Sequence, residues 1–372
     1  MVLSDYIRGR DNNFNLIRFI AALAVLVSHG FALTTGDEGA EPLRRQLNMP
    51  LGSMAVDVFF LTSGFLVSAS LIARQNAVEF ICARALRIYP ALWVMLAFLT
   101  FALGAMLTEL PLGAYLSSPQ TWSYVAHAGT LVAGIEHWLP QVFTSNPIGP
   151  SVNGSLWTLP YEVGMYGLLL GAWLLFSPLP RLQLTLLKRT IVALAVGAGA
   201  FIVVGYFRHG LPDSFELHRT YRFPSLLFMF FCGGSFYVLR DKIRMSGAAC
   251  LALGALLLAS TVNKHVFYVA YIVATPYLLF YLAYVPAGLV RRFNDVGDYS
   301  YGIYIYAFPV QQTIVHLDPQ LSVAASTAAC VVVTLMLSML SWHCIEKTAL
   351  KFKTALSRRL QRRPMAAGAL NS

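Results

Sequence analysis

The sequence predicts an all-α integral membrane protein, a bundle of about ten transmembrane helices with both termini in the cytoplasm. Three observations carry that prediction. The chain has 372 residues, of which 57% are hydrophobic and 12% charged, and its mean hydropathy is +0.62, too apolar for a soluble multidomain protein. Windows of about 20 apolar residues recur along nearly the whole length, each able to cross a hydrocarbon core roughly 30 Å thick as a helix. The lysines and arginines fall unevenly between those windows.

The windows lie near 14–34, 54–74, 87–107, 157–177, 190–207, 221–239, 245–262, 266–286, 299–316 and 321–345. Segment 121–139 is amphiphilic and interrupted by His127, Gly129, Gly134 and Glu136, so it is expected as an outer loop near the interface. The first window lacks a small-residue cleavage site and nine more follow, which makes it a retained anchor rather than a signal peptide. With the amino terminus inside, the inner segments carry Arg8, Arg10, Arg74, Arg84, Arg87, Arg181, Lys188, Arg189, Arg240, Lys242, Arg244, Arg291, Arg292 and seven basic residues from Lys347 to Arg363. Only Arg44, Arg45, Arg208, Arg219, Arg222 and Lys264 fall outside, a bias that supports this orientation. The net charge of +10 is then an orientation signal, and no nucleic acid is implied as a partner. Residues 1–350 read as one transmembrane domain and 351–372 as a basic cytoplasmic tail lying on anionic membrane lipids. Cys82, Cys232, Cys250, Cys330 and Cys344 lie in or beside spans without a C-x-x-C pair, so neither a disulfide framework nor a metal site is expected. The loop 108–156, rich in Pro, Gly, Ser and Asn, either shapes an acceptor site or connects spans.

Ionisable residues inside the windows are the candidates for function, because a charged side chain at the centre of a span costs about 2.5–3.5 kcal/mol on insertion scales. In "NLIRFIAALAVLVSHGF", Arg18 and His29 are eleven residues apart, which brings them back to within about 20° on one helix face and about 16 Å apart along the axis. They can line one cavity at two depths; the competing readings are a snorkelling arginine and a histidine that hydrogen-bonds a neighbouring helix. Asp57 opens "VDVFFLTSGFL", where Thr62, Ser63 and Gly64 form a polar notch or a site of close helix packing. Glu162, in "SLWTLPYEVGMYG", must be neutral, paired or wet at its depth, and Trp157 and Tyr161 beside it suit an interfacial belt. Arg84 and Arg87, in "FICARALRIYP", share a helix face at the inner end of the third span. Their forked guanidiniums can grip phosphate, or they are ordinary inner flanking charges.

Arg18 to His29, "DVFFLTSGFL", "RALRIYP", "SLWTLPYE" and the late "GDYSYGIYIYAFP", in this order and on these spans, resemble the acyltransferase 3 family of membrane acyltransferases over about residues 12–350. The resemblance implies transfer of an acyl group, most often acetyl, from cytoplasmic acetyl-CoA or another acyl-CoA to hydroxyls of surface or lipid-linked glycans in the bacterial cytoplasmic membrane. It further implies a glycan or glycolipid acceptor and polysaccharide biosynthesis machinery as partners. His29 and Arg18 match the family's arginine-to-histidine motif, Arg84 and Arg87 its paired arginines, Ser63, Gly64 and Phe65 its Ser-Gly-Phe motif, and Glu162 its acidic residue after Ser-Leu-Trp. Three departures stand out. Asn15 occupies the place where many members carry an aspartate to pair with the first arginine. Tyr306-Ala307-Phe308-Pro309 supplies no second histidine. Glu346-Lys347-Thr348 replaces the usual acidic-basic-proline sequence.

The resulting expectation places CoA phosphates at Arg84 and Arg87, with Ser63 beside the donor, and the pantetheine arm passing Arg18 towards His29. There His29, Arg18 and Glu162 would serve catalysis. A histidine, with an ordinary pKa of about 6.5, suits a general base near neutrality or an acyl-carrying nucleophile. The alternative is a transporter or flippase using the same polar residues as a pathway.

Overall fold

The computed structural model describes residues 1–9, 11–132, 134–209 and 215–352, and within the described residues the fold is all-helical, with only two isolated β-bridges. The principal helices are α1 (Phe14–Thr35), α2 (Leu51–Arg74), α3 (Ala77–Ala97), α4 (Pro119–Thr130), α5 (Leu159–Leu175), α6 (Gln183–His209), α7 (Phe215–Val238), α8 (Gly247–Ser260), α9 (Lys264–Tyr284), α10 (Ser300–Leu317) and α11 (Val323–Ser341). A π-helical stretch, Phe98–Gly104, prolongs α3 to Leu107, and another, Trp342–Glu346, prolongs α11. All but α4 coincide with the apolar windows. By length and composition, however, six helices are suited to cross a membrane: Phe14–Thr35, Leu51–Arg74, Ala77–Leu107, Gln183–Arg208, Lys264–Tyr284 and Val323–Phe352. The others are shorter or more polar; α8 has 14 residues, and α10 carries Gln311, Gln312 and His316. Most of the basic tail lies outside the described residues, from 353 onward.

Local chemistry sets the helix ends. The Asn76 side chain accepts the Glu79 N–H to start α3, and Ser322 does the same for Ala325 at the start of α11. Gly36, in the left-handed region at φ 75°, ends α1. Small residues then decide how closely helices approach. A Cβ on Gly64 of α2 would overlap the Phe230 carbonyl of α7, and one on Gly233 of α7 would overlap the Leu61 carbonyl of α2. These reciprocal glycines bring the two backbones into direct contact, a packing that needs no apolar driving force from water. Gly64 of the Ser-Gly-Phe motif is therefore a packing residue. Its neighbour Ser63 faces the interior cavity.

Segment 108–156 departs from the expected loop. It forms a short helix, Leu112–Ser117, and then α4, which turns back along α3: Trp122 lies 5.9 Å from Phe101, Gly129 abuts Trp93, and the Tyr89 hydroxyl donates to the Thr130 carbonyl. The amphiphilic residues are explained by that placement, one face meeting α3 and the other left exposed. Residues 134–158 then run irregularly into the bundle and end in a 3-10 turn, Gly154–Thr158. Irregular backbone at such depth must find partners inside the protein. Asn146 donates to the Gln312 carbonyl and side-chain oxygen, Gln312 donates to the Ser151 carbonyl, and Asn153 donates to the Ile305 carbonyl. The last of these acceptors lacks its usual helical donor, because Pro309, four residues on in α10, has no N–H.

Candidate active site

A cavity of about 500 Å³, within the range of small-molecule sites, runs from the helix ends around Asn12, Asn294 and Leu350 to Thr158 and Tyr304 deeper in the bundle. Arg18, Ser63, Arg84, Arg87 and Glu162 all line it, brought together from α1, α2, α3 and α5. His29 does not line it.

The charges in this cavity are paired by a residue the sequence reading quoted without singling out. Asp298, in the short link before α10, accepts from Arg18 at 3.2 Å and from Arg87 at 2.5 Å through the same carboxylate oxygen. Its other oxygen accepts the Ser300 hydroxyl at 2.5 Å. Burial alone would raise the Asp298 pKa, but Arg18, Arg87 and the Ser300 hydrogen bonds outweigh it and hold the carboxyl well below its usual range. Arg87 also reaches Glu346 at 3.4 Å, and Glu346 accepts from Ser341 at 3.0 Å. The carboxylate missing at Asn15 is thus supplied from 280 residues away, and Glu346, noted only as a departure from the usual late sequence, has a partner in the site. Arg18 is not snorkelling: it is ion-paired and lies over the Phe59 ring, 5.8 Å from its centre.

The two motif arginines are not equivalent. Arg87 is held by two carboxylates, whereas Arg84 sits over the Tyr166 ring at 5.8 Å and its buried Nε has no hydrogen-bond partner among the described residues. Glu162 accepts from Ser63 at 3.1 Å and from the Tyr166 hydroxyl, so its carboxylate is occupied by hydroxyl donors. Trp157 is no bare belt residue either, since the Arg222 guanidinium lies 4.3 Å from its ring centre.

His29 is half-buried and stands off the cavity, beside Ser155 and Phe308. Its Nδ1 is 3.4 Å from the Ser155 hydroxyl, and its ring meets Phe308 edge-on at 5.4 Å. Between His29 and the cavity stands a row of hydroxyls: Thr158 Oγ1 lies 2.5 Å from the Tyr304 hydroxyl, which donates to the Ser155 carbonyl. One stripe of α10 joins the two stations. Ser300 and Tyr304 line the cavity and Phe308 touches His29, successive positions four apart that span about 12 Å of helix.

Residues 11–343 match the acyltransferase domain family, the acyltransferase 3 family of the sequence resemblance. This chain belongs to that family. It is 29% identical to an O-acetyl transferase of Shigella phage Sf6 over 360 residues, covering 91% of this chain and 96% of that one. It is also 28% identical to nodulation protein 10 of Rhizobium leguminosarum bv. viciae over 393 residues, covering 96% and 98% respectively. No solved structure matches it. The chain is a multi-pass membrane O-acyltransferase.

Asp298, Ser155 and Tyr304 were missed as individual site residues, although all lie within the quoted motifs or one residue from them. Their acidic and hydroxyl side chains were a signal. Their partners, far away in sequence, were not.

Proposed function

We propose that this O-acyltransferase moves an acyl group, acetyl in the simplest case, from cytoplasmic acyl-CoA to a hydroxyl of a surface or lipid-linked glycan. In this reading all ten apolar helices cross a bacterial inner membrane and both termini are cytoplasmic, as the basic residues favour. The observation that carries it is the graded path along α10, from an arginine-bearing cavity to a histidine held among neutral groups. Arg84, whose guanidinium has no carboxylate partner among the described residues, takes a CoA phosphate. Arg18 and Arg87, fixed by Asp298, shape the cavity around the donor. Glu162 and Ser63 form its opposite wall.

The thioester passes the Thr158 and Tyr304 hydroxyls to reach His29. His29 accepts the proton of the acceptor hydroxyl as its oxygen attacks the thioester carbonyl. The tetrahedral intermediate then expels the CoA thiolate, which takes the proton back from the imidazolium, leaving an O-acyl ester and free CoA thiol.

The test is mass spectrometry of surface glycans from cells carrying the wild-type gene, the His29→Ala variant or no gene. An acyl mass present only with the wild type supports the reading. Normal glycan acylation by a correctly inserted His29→Ala variant overturns His29 as the base. Glycan movement with no acyl product and no dependence on CoA would instead support a transporter.

A further inference from the structure

We infer that Ser155 is a positioning residue for His29, holding Nδ1 so that Nε2 faces the reaction, and that Asn153 and Tyr304 hold Ser155 in turn. The inference rests on His29 being the reacting base. Ser155 is 1% exposed, and its hydroxyl lies 3.4 Å from Nδ1. A neutral imidazole carries one N–H, so a hydroxyl that accepts from Nδ1 leaves Nε2 with the free lone pair.

Ser155 sits in the short 3-10 turn, Gly154–Thr158, that ends the irregular segment. Here both of its backbone polar groups are clamped. Its N–H donates to Asn153 Oδ1 at 3.2 Å, and its carbonyl accepts from the Tyr304 hydroxyl. Asn153 is fully buried and anchored by its amide, which donates to the Ile305 carbonyl at 2.9 Å. That carbonyl receives no helical N–H from Pro309, which leaves it open to the Asn153 amide. Tyr304 is fixed by Thr158, and Phe308 closes on the edge of the imidazole. Gly154 permits this approach, since a Cβ there would stand 2.7 Å from the Phe308 ring. "NGSLWT" and "YIYAFP" therefore build one clamp. Four residues of α10 and the re-entering segment converge on a single hydroxyl facing a single ring nitrogen.

Two measurements test it on the full chain in nanodiscs. The first is ¹⁵N NMR of histidine-labelled protein, with the His29 signals assigned by their loss in His29→Asn. Wild type should show the Nδ1–H tautomer, Ser155→Ala should lose that preference, and Ser155→Thr should keep it. The second is transfer from radiolabelled acetyl-CoA into membranes of the source cell. Ser155→Ala should lower kcat about 10–100-fold, part of what a general base supplies, with the KM for acetyl-CoA within about twofold of wild type. Ser155→Thr should recover most of the rate. An unchanged tautomer in Ser155→Ala, or an unchanged kcat, overturns the inference. Retained transfer by His29→Ala would instead strike the base reading itself, so the two failures are separable.

Discussion

The two ends of the path along α10 solve the problem of buried polarity in opposite ways. Around Asp298 the site uses full charges, each guanidinium of Arg18 and Arg87 answered by a carboxylate. Around His29 it uses neutral groups, a serine hydroxyl, a tyrosine hydroxyl and an aromatic edge. Buried ion pairs are costly to break because the surviving partner is left uncompensated. Neutral hydrogen bonds cost less to lose but fix direction. The charged end should therefore show itself first in stability, and the neutral end first in turnover.

The largest expected effect is at Asp298. Asp298→Asn leaves Arg18 without its ion pair and Arg87 with Glu346 alone, and should lower stability by about 3–5 kcal/mol. Thermal unfolding of purified protein in detergent reads this directly, and Asp298→Glu should recover part of the loss. The sign with pH follows from the depressed carboxyl. Its contribution is present above the ordinary carboxylate pKa and is lost only as pH falls through the lower folded value. Wild type should accordingly be more stable than Asp298→Asn throughout pH 6 to 8, and a margin that vanishes within that window would contradict the pairing.

A smaller loss is expected at Asn153, which bridges the re-entering segment to α10. Asn153→Ala orphans the Ile305 carbonyl and the Ser155 N–H, and should cost about 1–3 kcal/mol. Its kcat should fall further than its unfolding temperature suggests, because the clamp on His29 loosens. If stability and kcat fell only in proportion, the neutral end would be no more than structural.

Arg84 sharpens the contrast within the charged end. Arg84→Gln should raise the KM for acetyl-CoA about tenfold, equivalent to about 1.4 kcal/mol, while leaving thermal stability unchanged because no carboxylate among the described residues pairs with it. Arg87→Gln should do the reverse, destabilising the protein through Asp298 and Glu346. Equal effects of both would erase the distinction between a ligand-facing and a structural arginine. The smallest effect is at Asn15. Asn15→Asp adds a carboxylate one helical turn from Arg18, worth about 0.2–0.5 kcal/mol, since Asp298 already pairs with that arginine. A much larger gain in unfolding temperature would mean that Arg18 was poorly compensated.

The sequence by itself determined the apolar helices, though not α4, because hydropathy in windows of about 20 residues is a local property. It also determined the family, through five motifs in order, and placed Arg18 and His29 on one helix face through the 3.6-residue period. Only the tertiary structure decided what those residues do for one another. Arg18 meets Asp298 across 280 residues of chain, Arg87 meets Glu346 across 259, and His29 meets Ser155 across 126. No periodicity reports such pairings. It also decided that five of the candidates share a cavity while His29 stands behind a row of hydroxyls, because an irregular segment folds back between the helices to a depth that composition alone does not encode. Buried backbone without regular structure must be satisfied by particular side chains, and Asn146, Asn153 and Gln312 are the ones that set where that segment stops.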